Sequence, residues 1–202
     1  LAATVIKNLE KRQMEGYYCP TVEDAEKLAF SFLKDGQTVS FGGSMTLEET
    51  GMLTALRHDP SIHLIDRSTA KTPDETKKMY HDALSSDVYF MSTNAITTGG
   101  ELVNIDGTGN RVAALIYGPE TVVILAGMNK IAANVDEALS RVHNVATAQN
   151  CIRLDKKTPC AITGACADCL SPDCICNQVV ITRRSGIKGR IKVLLIGESF
   201  GY

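Results

Sequence analysis

Residues Val122 to Ala126 read VVILA, five in a row without a polar side chain. An alternating strand can leave one face in water. This one needs cover on both faces, as the strands of a parallel sheet have. The residues before it suggest how that cover is supplied. Asp87 to Met91 is another short strand-like apolar run, and Ser92 to Thr98 is rich in small hydroxyl and amide side chains. Glu101 to Ile105 can form a further strand, and Asp106-Gly107-Thr108-Gly109-Asn110 has the composition of a turn. Arg111 to Tyr117 is apolar enough for a packed helix. Polar groups therefore gather at strand ends, where open α/β sheets bind ligands.

The same alternation runs through most of the chain. Val5, Ile6 and Leu9 predict a helix over residues 1–16, ended near Gly16 and Pro20. Thr21 caps a second helix, with Val22, Ala25, Leu28, Ala29 and Phe32 at helical spacing. Thr38 to Phe41 is a short strand followed at once by Gly42-Gly43-Ser44, and Thr46 with Glu49 fits a capping box for the next helix. Strand, glycine turn and helix start together present free backbone N–H groups to an anion; the same residues also suit a tight turn that binds nothing. Ile62 to Ile65 is a strand, and Thr72-Pro73-Asp74-Glu75 opens a helix whose inner face is Met79, Tyr80, Ala83 and Leu84. Asn134 with Glu137 caps a further helix, with Val135, Ala138, Leu139, Val142 and Val145 turned inward. Gln178 to Thr182 and Ile191 to Ile196 flank a basic, glycine-containing segment and are expected to pair as a hairpin. The expected architecture is one three-layer α/β/α domain over residues 1–202 with a mostly parallel sheet, a Cys-rich loop and a C-terminal β-hairpin.

With 202 residues the chain can bury a sizeable core. A net charge of −2 gives no global case for nucleic acid or for an acidic membrane surface. No apolar run approaches the ~20 residues of a membrane span, and no secretory signal is visible, so a cytoplasmic protein is expected. Four histidines, at 58, 63, 81 and 143, lack metal spacing with one another and read as structural.

Five of the seven cysteines fall between Cys160 and Cys176, a clustering that points to a metal before a disulfide framework. Cys166 and Cys169 form a Cys-x2-Cys pair, which lets two thiolates reach one ion from one turn. The expected ligands are Cys160, Cys166, Cys169 and Cys176, holding Zn or a [4Fe-4S] cluster; soft thiolates suit both. Cys174 is a doubtful fifth, and Cys19 and Cys151 read as buried apolar residues.

Several stretches together resemble the LUD-domain family of lactate-utilisation, or YkgG-like, proteins. They are SFGGSMTLEETG at 40–51, NAITTGGELVNIDGTGNRVAALIYGP at 94–119, GMNKI at 127–131, TPCAITGACADCLSPDCIC at 158–176 and the closing IGESFGY. The resemblance implies a fold like those of ribose-5-phosphate isomerase and the CoA transferases, with a site built from Gly42 to Thr46 and from Asn94 to Arg111. It also implies kinship with an iron–sulfur system that oxidises lactate to pyruvate. On that footing Gly42, Gly43, Ser44 and Thr46 would hold the anionic group of a small carboxylate or phosphorylated metabolite. Glu48 or Asp106 would act as general base and Arg111 as a carboxylate clamp, while Asn94, Asn104, Gly107 and Asn110 would shape the site. Turn formation alone also accounts for each Asn and for Asp106. Two other functions fit the same residues: an iron–sulfur electron-transfer or assembly subunit docking to oxidoreductase partners, and a ligand-binding regulator without turnover.

Overall fold

The computed structural model describes residues 1–202. Ten strands and nine α-helices follow in order as α1 (Ala2–Lys11), β1 (Glu15–Cys19), α2 (Val22–Phe30), β2 (Thr38–Phe41), α3 (Met45–Glu49), α4 (Met52–His58) and β3 (His63–Ile65). Next come α5 (Pro73–Leu84), β4 (Val88–Met91), β5 (Ala95–Thr97), β6 (Leu102–Asp106), α6 (Asn110–Ile116), β7 (Thr121–Gly127) and β8 (Ile131–Ala132). The chain closes with α7 (Val135–Arg141), α8 (Ala148–Arg153), α9 (Pro159–Thr163), β9 (Gln178–Thr182) and β10 (Ile191–Ile196).

Six strands form one sheet in the order β1-β10-β7-β4-β2-β3, every neighbouring pair parallel. Alternate residues of β7 enter two separate cores. Val122, Ile124 and Ala126 meet Val5 and Leu9 of α1, Ala83 of α5 and Leu115 of α6. Val123 and Leu125 meet Ala25 and Ala29 of α2, Leu47 of α3 and Leu53 and Leu56 of α4. Helices therefore cover both faces, which is why the VVILA strand can be wholly apolar. A second, mixed sheet in the order β8-β5-β6-β9 lies beside the first. Its small core joins Ala95, Val103 and Ile105 to Ala138 and Val142.

Four expectations are corrected. The N-terminal helix stops at Lys11, and residues 15–19 form β1 at the edge of the large sheet. The C-terminal runs are not a hairpin. β9 pairs antiparallel with β6 in the small sheet, whereas β10 lies parallel between β1 and β7 in the large one. Their compositions sort them. Ile191–Ile196 is nearly all apolar and suits the sheet interior, while β9 leaves Val179 and Ile181 about half exposed, as an edge strand can. The cap of α3 is Ser44, whose hydroxyl accepts from Leu47 N at 3.3 Å; Thr46 lies inside the helix. Finally, α7 runs into a π-helical turn, Val142–Thr147, before α8. The wider turn shifts the buried stripe, so Ala146 is buried and Val145 faces water.

Other local signals act as their chemistry dictates. Thr21, Thr72 and Asn134 accept from Asp24 N, Glu75 N and Glu137 N at 3.2, 3.1 and 2.9 Å.

Candidate functional site

Parallel strands deliver their C-terminal ends to one edge of the sheet, and a cleft opens there. Gly43 and Ser44 follow β2, Arg67 follows β3, Ser92 to Asn94 follow β4, and Lys130 follows β7. From the small sheet, the β6–α6 turn adds Asp106, Gly107, Asn110 and Arg111; Asn150 and Arg153 of α8 close the other wall. The cleft has two adjoining lobes of about 240 and 80 Å³, sharing Gly43, Asn94, Ile105, Arg111, Asn150 and Arg153.

Arg111 organises this site from beneath. Its Nη1 donates to Asn104 Oδ1 at 2.6 Å and Ser92 O at 3.3 Å, and its Nη2 to Ile105 O at 2.7 Å and Asn94 Oδ1 at 3.1 Å. Nε lies 3.4 Å from Asp106 Oδ2, an ion-pair distance without a hydrogen bond, so that buried oxygen accepts from no donor. Asp106 Oδ1 accepts from Gly109 N at 2.8 Å and pins the turn. Gly109 has φ +90°, a left-handed conformation that glycine adopts without strain. Burial pushes the Arg111 guanidinium below its ordinary value, and Asp106 pulls it back. The fork is thus occupied by the protein's own acceptors.

The remaining sequence-derived residues divide. Gly42 lies behind the cleft, where a Cβ would come 3.0 Å from the Tyr89 hydroxyl and 3.1 Å from the Arg111 stem. Gly43 is exposed, and neither its N–H nor that of Ser44 bonds within the chain. Thr46 is buried and donates to Phe200 O at 3.2 Å. Asn104 is fully buried, with its Nδ2 unpartnered. Glu48 is exposed and lines neither lobe.

The lining residues missed in the sequence include Lys130, Arg67, Arg153 and Tyr202. Lys130 is 3% exposed and donates to Ser92 Oγ at 3.1 Å; no carboxylate pairs with it. Burial, then Arg141 and Arg111, push its ammonium down to about 7, against a weaker pull from Glu49. Its signal was available: a lysine placed four residues beyond the wholly apolar run Val122–Ala126. Arg67 carried a weaker one, two residues beyond β3, a strand that includes His63. Arg153 and Tyr202 carried none. Arg153 Nε donates to the Tyr202 hydroxyl at 2.7 Å and its Nη2 to Asn150 Oδ1 at 2.8 Å. Tyr202 reaches the cleft because Gly201 N donates to Glu49 Oε2 at 2.6 Å and Asn129 Nδ2 donates to Gly201 O at 3.0 Å.

The cysteines line a separate cavity of about 480 Å³. Cys151, Cys160, Cys166, Cys169, Cys174 and Cys176 all face it, with His143. Every thiol is free, and no three His, Cys, Asp or Glu side chains stand close enough together to hold an ion. Cys166 Sγ lies 3.5 Å from His143 Nδ1, and Cys176 N donates to Cys174 Sγ at 3.4 Å. Burial pushes the Cys176 thiol up to about 12, with Cys174 adding to the shift.

A family model described as the LUD domain matches residues 2–196. The chain belongs to the LUD domain family. Among solved structures, this LUD domain is similar to a DUF162 family protein from Deinococcus radiodurans, at 13% identity and a TM-score of 0.53. That match covers 98% of this chain and 99% of the other, and it supports the α/β fold. A chain of the tetrameric eIF2B-beta2-delta2 complex from C. thermophilum matches at 18% identity over 57% of this LUD domain and 43% of its own length. Its TM-score is 0.39. No curated protein matches.

Proposed function

We propose that this LUD domain binds a small carboxylate or phosphorylated anion in the cleft at the strand ends and acts on it, as an enzyme or enzyme subunit of the lactate-utilisation type. One observation carries the reading. Lys130, Arg67 and Arg153 line the cleft with Arg111 beneath, and the one carboxylate among the lining residues, Asp106, lies against Arg111. A cleft with that charge excess favours an anion. The unbonded N–H groups of Gly43 and Ser44 offer further donors. Asp106, with one free buried oxygen, is the better placed of the two candidate bases.

Thermal denaturation in lactate, glycerate or phosphate, each against chloride at equal ionic strength, tests this. A ligand at 100 times its Kd stabilises by ~2.7 kcal/mol. The expected result is stabilisation by at least one of these anions, weakened in Arg153→Gln. Equal curves in all salts would refute it.

We also propose that the Cys-rich segment holds a metal on Cys160, Cys166, Cys169 and Cys176. Six thiols on one cavity support this, because thiolate donors match Zn and iron–sulfur chemistry. The thiols are not gathered, so the segment has to close around the ion. Zn would supply a structural cross-link, and a [4Fe-4S] cluster an electron carrier suited to an oxidoreductase partner. Seven free thiols also fit a reducing, cytoplasmic setting. No helix is long and apolar enough to cross a membrane. Anaerobic purification followed by metal analysis and an absorption spectrum tests the site: brown protein indicates a cluster, colourless protein with one Zn a structural ion, and metal-free protein rejects both.

A further inference from the structure

A buried lysine ordinarily has a carboxylate beside it. Lys130 has only the Ser92 hydroxyl, at 3.1 Å, and it borders the inner lobe of the cleft. The charged groups acting on it are mostly of its own sign. Arg141 from α7 and Arg111 from α6 oppose its ammonium, and Glu49 from α3 alone favours it. Arg153 from α8 and Tyr202 line the same lobe. Arg141 is committed elsewhere: its Nη1 donates to Asn94 O at 2.7 Å and its Nε to Asn129 O at 3.1 Å. Glu49 and the Ser92 hydroxyl do not offset burial and the two guanidinium groups, so an appreciable share of the amine is neutral near pH 7. A neutral amine in a cationic cleft suits one reaction class, addition to the carbonyl of an anionic substrate.

We propose that Lys130 is a nucleophile that forms an imine with a small anionic aldehyde or ketone, with Ser92 relaying the protons. The inference rests on the anion-binding reading above. The Nζ lone pair attacks the carbonyl carbon, the new C–N bond forms, and the C=O π pair moves to oxygen. The nitrogen gives up a proton and the oxygen takes one, through the Ser92 hydroxyl, to give a carbinolamine. With a second proton from solvent the hydroxyl leaves as water, and the nitrogen lone pair closes the iminium. Amine, carbonyl compound and one proton become iminium and water, with no oxidant or reductant. The cations of the cleft hold the carboxylate or phosphate while the carbonyl meets the amine. Ser92 is positioned for the relay, since its Oγ also lies 3.3 Å from Thr93 O, a second acceptor for its proton.

The test is reductive trapping on the intact protein. Glyoxylate and glycolaldehyde phosphate are the probes, one carrying a carboxylate and the other a phosphate; borohydride fixes any imine, and peptide mass mapping finds it. At pH 7 an ordinary lysine near 10.5 is almost wholly protonated, so Lys130 is expected to label at least about tenfold faster than any exposed lysine. The faster probe identifies the anion. Lys130→Met and Lys130→Arg should abolish the adduct on that peptide and leave surface labelling unchanged. Ser92→Ala should slow trapping several-fold, and Ser92→Thr, which keeps the hydroxyl, should restore it. Stabilisation by anions with Lys130 unmodified would overturn the nucleophile and leave the anion reading standing. If no anion stabilises the protein and Lys130 labels no faster than surface lysines, both fall.

Discussion

Replacing Arg111 by Met would keep most of the stem and delete the guanidinium. Four acceptors lose a charged donor: Asn104 Oδ1, Ser92 O, Ile105 O and Asn94 Oδ1. Asp106, 8% exposed, loses its counter-ion at 3.4 Å. Removing one partner of a buried pair costs about 3–5 kcal/mol, because the other charge is left behind. Water entering from the cleft can recover some of the carbonyl bonds, so about 3–5 kcal/mol is expected for the whole change. In a chain of this length that lowers Tm by roughly 6–20 °C. Urea denaturation measures it, and a cycle with Asp106→Asn sharpens it. Arg111→Met/Asp106→Asn should recover at least about 1 kcal/mol over Arg111→Met, since the stranded carboxylate is then gone. A loss under about 1 kcal/mol for Arg111→Met would show that the guanidinium does not hold the turn, and the account of the site from beneath would fail.

Lys130→Met should change the pH dependence of stability. A lysine held near 7 in the fold and 10.5 when unfolded binds fewer protons folded, so its burial penalty fades as pH rises between those values. Wild type should gain roughly 2 kcal/mol on Lys130→Met between pH 7 and 9. Cys19 and Cys176, whose thiols are pushed up to about 11 and about 12, pull the other way at alkaline pH in both proteins, so the difference is the readout. Arg190 is buried and donates to Ala114 O, Leu115 O and Pro119 O at 2.8, 2.7 and 2.8 Å, closing the C-terminal end of α6. Arg190→Met should cost about 2–4 kcal/mol by denaturation. It should also raise amide exchange across residues 110–117; unchanged exchange there would count against its role as a helix clamp. Cys169→Ser should lower the metal content of anaerobic protein and leave its far-ultraviolet circular dichroism unchanged; undiminished metal would remove Cys169 from the ligand set.

The parallel core was legible because its signal is local. Val122 to Ala126 can exist only with two covered faces, and Thr72-Pro73 can do little but start a helix. β1 was hidden because an edge strand needs no alternation: Glu15 to Tyr18 are partly or fully exposed and pair on one side only. The fates of β9 and β10 depend on partners far away in sequence, Leu102–Asp106 for one and Thr121–Gly127 for the other, and no turn chemistry between them announces it. The β6–α6 turn was found because glycine and Asx residues advertise turns. That its arginine would face inward was invisible, since a guanidinium reads alike whether it grips a ligand or its own backbone.

The position of β10 bears on how the chain matures. Residues 191–196 leave the ribosome after every other strand of this domain, yet they belong between β1 and β7. Until then those two strands have a vacant slot between them, with unpaired edges that can recruit another chain. The nascent protein can assemble β7, β4, β2 and β3 early, but the N-terminal strand has to wait for the last one to wedge in. Closure is therefore a late, long-range event, slow by topology. A stop codon before Ile191 should yield an aggregating fragment even though some nine-tenths of the sequence would be present.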